Sequence, residues 1–182
     1  MPLIQLYEAF RNEGSIMQRD SNYYIQHLGL EAHPEGGYYK STYNSDQSMA
    51  AVGTTRKLYT SIYFLLGAGD VSHFHRLKSD ELWYFHGGSS LLVHVIDEEG
   101  NYFEHKLGLD LENGETPQVL VPKNSIFGSS VIKDGLFSLV GCMVAPGFDF
   151  EDFELFTQSE LLEKYPQHEQ IIRKMAYEQL PK

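Results

Sequence analysis

The sequence predicts an all-β protein, a barrel or sandwich of short strands with short helices at both ends. Three observations carry this. Between Leu30 and Val144, brief apolar or alternating runs are cut by clusters of Gly, Asn, Asp and Pro, with no helices between them. Two of the cuts, Asp97-Glu98-Glu99-Gly100-Asn101 and Lys133-Asp134-Gly135, are hairpin signals. Helical spacing of apolar residues appears only near the two ends.

The elements follow in order. Leu3, Leu6, Tyr7 and Phe10 recur at helical spacing, and Gly14-Ser15 interrupt them. Ser21 is expected to cap a second short helix carrying Tyr24, Ile25 and Leu28 and closing at Gly29. Strands are expected at residues 58–66, 71–75, 82–86, 91–96, 102–107, 119–121, 126–132 and 136–144. Beyond Pro146-Gly147, Ser159 precedes Leu161-Leu162, and Pro166 precedes Ile171, Ile172 and Met175; these read as two helices outside the barrel. No repeat, linker or low-complexity tract breaks the chain, so residues 1–182 are expected to form one domain with its barrel at about residues 30–150.

Charge and cysteine usage narrow the function classes. Acids outnumber bases 25 to 14, a net charge of −11, which argues against nucleic acid and anionic membranes as partners. The single cysteine, Cys142, excludes an intrachain disulfide, and its apolar neighbours predict a buried, inert thiol. The first dozen residues show no secretory leader, and no apolar run approaches the roughly 18 residues of a membrane span. A cytoplasmic protein is expected.

The informative segment runs from Gly67 to Gly88. Residues two apart in a strand face the same side, so His73 and His75 are expected to point together, with Phe74 opposite. The next strand would bring Glu81, Trp83 and Phe85 alongside on one face. Two imidazoles and a carboxylate converging inside a barrel can hold a divalent transition metal, or act as a base with an orienting acid. Arg76 has two readings, an ion pair with Asp80 or Glu81 or a contact to an anionic ligand.

At these residues the chain resembles the cupin superfamily. The first cupin motif sets a glycine, a His-x-His pair, a glutamate and a closing glycine in order, and Gly67, His73, His75, Glu81 and Gly88 match it. One departure is the five residues between His75 and Glu81; Asp80 fits the shorter spacing but throws Gly88 out of place. In the second motif, represented by Pro122-Lys-Asn124-Ser-Ile-Phe127, Asn124 stands where Gly is usual, tolerable because Asn accepts positive φ, and Phe127 stands where the fourth metal ligand, a His, belongs. The segments His33-Pro-Glu-Gly-Gly-Tyr-Tyr39 and Ala145-Pro-Gly-Phe-Asp-Phe-Glu-Asp-Phe153 are similar to signatures of a small single-domain cupin family of unassigned function. Glu35-Gly36-Gly37-Tyr38 is also similar to the opening strand of dTDP-sugar epimerases, which are metal-free cupins, with Glu35 where their Arg stands. The resemblance implies a cupin double-stranded β-helix, a jelly-roll barrel, over about residues 28–166.

Three functional readings stay open. The first is a metal-independent isomerase or epimerase on a sugar-like or small polar substrate. His75 is its general base, Glu81 the orienting acid, and Tyr63 or Tyr84 the general acid. The second is a metal-dependent oxygenase or isomerase using His73, His75 and Glu81. The third is a non-enzymatic ligand-binding or storage-like barrel. Trp83, Phe85, Phe127, Arg76, Glu35 and Gln118 are the expected ligand contacts, and the cofactor is either none or one divalent transition metal. A small-molecule ligand and a homodimer, which would cover an exposed sheet edge, complete the expectation.

Overall fold

The computed structural model describes residues 19–181. The helix expected around Leu3–Phe10 lies outside the described residues.

Helix α1 (Ser21–Leu28) opens the described chain. Its cap is Asp20 rather than Ser21: the Asp20 carboxylate accepts the Tyr23 N–H at 2.8 Å, as an oxygen one residue before the first turn can. Strands β1 (Glu31–Ala32) and β2 (Tyr38–Asn44) follow, then a small hairpin of β3 (Ser48–Ala51) and β4 (Thr54–Lys57). The main strands are β5 (Thr60–Gly67), β6 (Val71–Leu77), β7 (Asp80–Gly88), β8 (Leu91–Ile96), β9 (Tyr102–Leu107), β10 (Gln118–Val121), β11 (Ile126–Val131) and β12 (Phe137–Ala145). A short β13 (Phe153–Leu155) precedes helices α2 (Gln158–Lys164) and α3 (Glu169–Met175). Thr157, not Ser159, caps α2, and Thr157 and Glu160 close a reciprocal capping box.

The strands form two antiparallel sheets, in the orders β1-β2-β5-β12-β7-β10 and β13-β6-β11-β8-β9. Their facing sides make the main core, where Phe64, Trp83, Val119, Val140 and Cys142 of one sheet meet Leu77, Leu91, Val93 and Phe127 of the other. The outer faces are also covered. Phe74, Ile96 and Ile126 pack under α2 and α3 with Leu161, Ile172 and Met175. Leu65, Phe137 and Leu139 pack with Tyr24, Ile25 and Leu28 of α1. A sheet buried on both faces needs apolar residues at consecutive positions, which is why β8 and β12 read as continuous apolar runs.

Two turns carry strain that their residues suit. Asn124 sits at φ 64° and Asp134 at φ 66°. Asn and Asp are among the few non-glycine residues that adopt this region. The Asn124 N–H donates to the Leu77 carbonyl at 2.8 Å, tying the turn before β11 to the end of β6.

Candidate functional site

A cavity of about 200 Å³ lies between the sheets at one end of the barrel, lined among others by His33, Glu35, Tyr39, His75, Glu81 and Trp83. Its centre is Glu35, on the loop between β1 and β2. The loop folds back on itself through the Gly36 N–H to the His33 carbonyl and the His33 N–H to the Gly37 carbonyl, both 3.0 Å. Gly36 has φ 108°, and a β-carbon on it would stand 2.2 Å from the Val71 carbonyl oxygen. The loop therefore lies directly on the start of β6, where the Glu35 carbonyl accepts the His73 N–H at 2.7 Å. Only glycine permits both the backbone angle and the approach.

From this loop the Glu35 side chain enters the cavity. Its Oε1 accepts the Ser72 hydroxyl at 2.8 Å. Its Oε2 stands 3.3 Å from His75 Nε2 and 3.4 Å from His33 Nδ1. The remaining contacts assign the ring nitrogens. His75 Nδ1 lies 2.7 Å from the His73 carbonyl, which can only accept, so Nδ1 holds the proton. His33 Nδ1 accepts the Glu35 backbone N–H at 3.3 Å, so it carries a lone pair. Glu35 Oε2 thus faces one bare nitrogen of His33 and, in neutral His75, a second. A proton on Oε2 satisfies that arrangement; an ionised carboxylate there would face two lone pairs. Electrostatics agree. Burial pushes Glu35 upward, against the pull of His33 and the Ser72 hydrogen bond. Burial lowers His33, with Glu35 opposing it, and drives His75 down to about 4.

Glu81 is the second acid. It is 6% exposed, and its Oε2 has no hydrogen-bond partner. Burial, with the Glu35 charge adding to it whenever that carboxyl is ionised, raises it to about 8, so it is largely protonated at neutral pH. The Trp83 indole N–H opposes the rise without closing a well-formed hydrogen bond. Asp80, the alternative at this position, is exposed and accepts the Lys123 N–H at 2.8 Å outside the cavity. Cys142 also lines the cavity, buried, with burial pushing its thiol up.

Several expected positions move. His73 and His75 do not point together. Two steps along β11 (Phe127 to Ser129) span three along β6 (His75 to Ser72), a bulge that breaks the period of two. Ser72 and His75 consequently both reach Glu35. His73 turns away to stack on Tyr177, ring centroids 3.5 Å apart, with its Nδ1 on the Glu35 carbonyl at 2.8 Å. The carboxyl against His75 is Glu35, not Glu81. Tyr63 faces the outer side of β5, against the α1 layer and His86, because Thr60, Ile62 and Phe64 take the inner face. Tyr84, between Glu81 and Phe85, is also off the cavity wall; the tyrosine that lines it is Tyr39. Arg76 points outward, its Nε and Nη2 both donating to Glu154 on β13 and its guanidinium 5.3 Å over the Phe156 ring. Phe85 packs on the main core away from the cavity wall, and Gln118 is exposed on an edge strand. Phe127 is buried against His75, centroids 4.1 Å apart, and closes the site from behind without lining it. Trp83 lines the cavity as expected.

The donor set does not fit a transition metal. His73 is turned out of the cavity, Phe127 replaces a ligand, and His75 Nε2 faces Glu35. Among the described residues no three His, Cys, Asp or Glu side chains are arranged to hold an ion. The expected His73, His75 and Glu81 centre is therefore not assembled.

His33, Tyr39 and the aromatic wall of Phe148, Phe150 and Phe153 line the cavity without being among the expected site residues. The signal was present: His33 and Tyr39 bound one of the two family-like segments, and the three phenylalanines lie in the other.

Residues 22–156 match the family described as Cupin superfamily (DUF985). The chain belongs to this cupin family. An uncharacterized protein of Saccharomyces cerevisiae, YML079W, is 30% identical over 138 residues, covering 68% of each chain. Among solved structures, this cupin is similar to protein SO0799 from Shewanella oneidensis, with 52% identity, 89% and 100% of the two chains covered, and a TM-score of 0.83. It is similar to a hypothetical protein from Leishmania major at 45% identity, with 87% and 99% covered and a TM-score of 0.84. Oxalate decarboxylase from Bacillus subtilis shares the fold alone, at 16% identity and a TM-score of 0.51 over 83% of this chain and 40% of that one. No helix among the described residues is long and apolar enough to cross a membrane.

Proposed function

We propose that this cupin binds a small molecule in the cavity and moves a proton on it, as an isomerase or epimerase does, with its own side chains as acid and base. The observation that carries the reading is the placement of Glu35 Oε2 between His75 Nε2 and His33 Nδ1 at 3.3 and 3.4 Å, inside a cavity of ligand size. Neutral His75 is an acceptor at Nε2, and the proton it faces sits on Glu35. A neutral imidazole that takes a proton from the substrate and a protonated carboxyl that gives one to it balance an epimerisation or a proton shift, leaving His75 protonated and Glu35 ionised, and transfer from His75 Nε2 back to Glu35 restores both. Glu81, a second acid on the wall, supplies hydrogen bonding to a substrate oxygen or nitrogen.

The test is exchange of a carbon-bound proton. Compounds that raise the melting temperature are incubated with the protein in D2O and followed by NMR. Wild type is expected to wash deuterium into at least one bound carbonyl compound. His75→Ala and Glu35→Gln should slow this at least about 100-fold, the usual contribution of a positioned acid or base. Binding without exchange in wild type, or undiminished exchange in both variants, contradicts the reading.

A further inference from the structure

The wall of the cavity is one-sided in charge. Among the described residues it carries two carboxyl groups, Glu35 and Glu81, and no lysine or arginine. Its imidazoles supply no positive charge at neutral pH, since burial lowers both His33 and His75. Around the acids stand Tyr39, Phe64, Trp83, Phe148, Phe150 and Phe153. Phe148 and Phe153 meet edge to face at 6.0 Å, and so do Phe64 and Trp83 at 5.9 Å. Glu81 Oε2 is sealed from solvent, a costly state for a carboxyl oxygen that no group among the described residues relieves.

We propose that the ligand of this cavity carries a small organic cation, an ammonium group seated between the Glu81 carboxylate and the aromatic wall. This rests on the cavity being the ligand site, and not on proton transfer there. An anionic ligand would meet two acids and no countercharge. A neutral one would leave the aromatic faces without the charge that their quadrupoles attract, Trp most strongly. An ammonium supplies N–H donors to Glu81 and a positive charge to the rings. It also favours the ionised form of Glu81, so its binding releases the proton that burial keeps on that carboxyl. The acidic surface, at net charge −11, concentrates cations near the mouth.

The test compares three probes of similar shape by calorimetry at pH 7: isopentylamine, isopentanol and isovalerate. The amine is expected to bind wild type at least about tenfold tighter than the alcohol, and isovalerate to bind weakest. Titrations in two buffers of different ionisation enthalpy should show close to one proton released per amine bound, about what a carboxyl mostly protonated at pH 7 can give up. Glu81→Gln should erase the amine's preference over isopentanol and the proton release. Isopentanol or isovalerate binding as tightly as the amine overturns the ligand class and leaves the cavity standing as the site. So does a Glu81→Gln variant that keeps the preference. Binding by none of the three also overturns the ligand class, and the cavity as ligand site is decided separately by the deuterium experiment.

Discussion

Wild-type protein is expected to lose stability as the pH rises from about 5 to 8, and Glu81→Gln to resist that loss. Glu81 titrates at about 8 in the fold against an ordinary value of 4.5. Between those values the folded state holds a proton that the unfolded state has released, so raising the pH favours unfolding. The contribution is fully present below about 4.5, falls through the neutral range and is gone above about 8. A shift of this size corresponds to at most about 5 kcal/mol, at about 1.4 kcal/mol per unit. Relaxation and water entry reduce it, so a loss of about 2 kcal/mol is the expected order. His75 works in the opposite sense. Its value falls to about 4 from 6.5, so its neutral form supports the fold above 6.5 and that support is lost as the pH drops toward 4. Urea unfolding of wild type and Glu81→Gln at pH 5 and pH 8 separates the two, because only the Glu81 slope differs between the proteins. Parallel pH profiles would show that Glu81 is an ordinary carboxylate.

The second large effect belongs to Gly36. Alanine there is expected to cost about 3 kcal/mol or more, lowering the melting temperature by roughly 6–12 °C for a chain of this size. Part is the backbone angle of 108°; the rest is a β-carbon set 2.2 Å from the Val71 carbonyl oxygen, a backbone atom that cannot swing aside. Gly53→Ala is the control. Gly53 also has a positive φ, 79°, at the tip of the β3–β4 hairpin, but its β-carbon would meet nothing within 4 Å, so only about 1 kcal/mol is expected. Equal losses at the two positions would mean that the loop does not press on β6. Because Gly36 adjoins Glu35, its alanine variant should also weaken ligand binding, which Gly53→Ala should leave intact.

Much of the barrel was legible because its signals are local. The hairpin of β8 and β9, the turn at Asp134-Gly135 and the positive φ of Asn124 follow from turn chemistry and alternation within a few residues. The choice of Glu81 over Asp80 also agrees with the structure, where Glu81 is buried on the cavity wall and Asp80 is exposed. The β3–β4 hairpin leaves no such signal, since Ser48–Lys57 holds few apolar residues and periodicity is silent there.

The site was legible only in part, because its geometry depends on irregularities and distant contacts. A bulge in β6 separates His73 from His75, and alternation along Ser72-His73-Phe74-His75 does not announce it. A further shift between β12 and β7, at Leu139/Val140, accompanies the misplaced Phe85. Glu35 meets His75 across 40 positions of sequence, and Arg76 finds Glu154 across 78, so neither partner was visible from its neighbours. Phe127 was recognised as a departure from the cupin pattern. Its consequence, a ring packed on His75 in place of a ligand, required the register of β11 on β6.

The central claim is that Glu35 and His75 stand as a neutral acid beside a neutral base, with the proton on Glu35. The most direct measurement is NMR of protein labelled with ¹⁵N in histidine and ¹³C in glutamate carboxyls at pH 7, with His75 and Glu35 assigned through His75→Ala and Glu35→Gln. The account predicts a neutral His75 protonated at Nδ1 and a protonated Glu35 carboxyl. A His75 imidazolium beside an ionised Glu35, or a neutral ring protonated at Nε2, would contradict it.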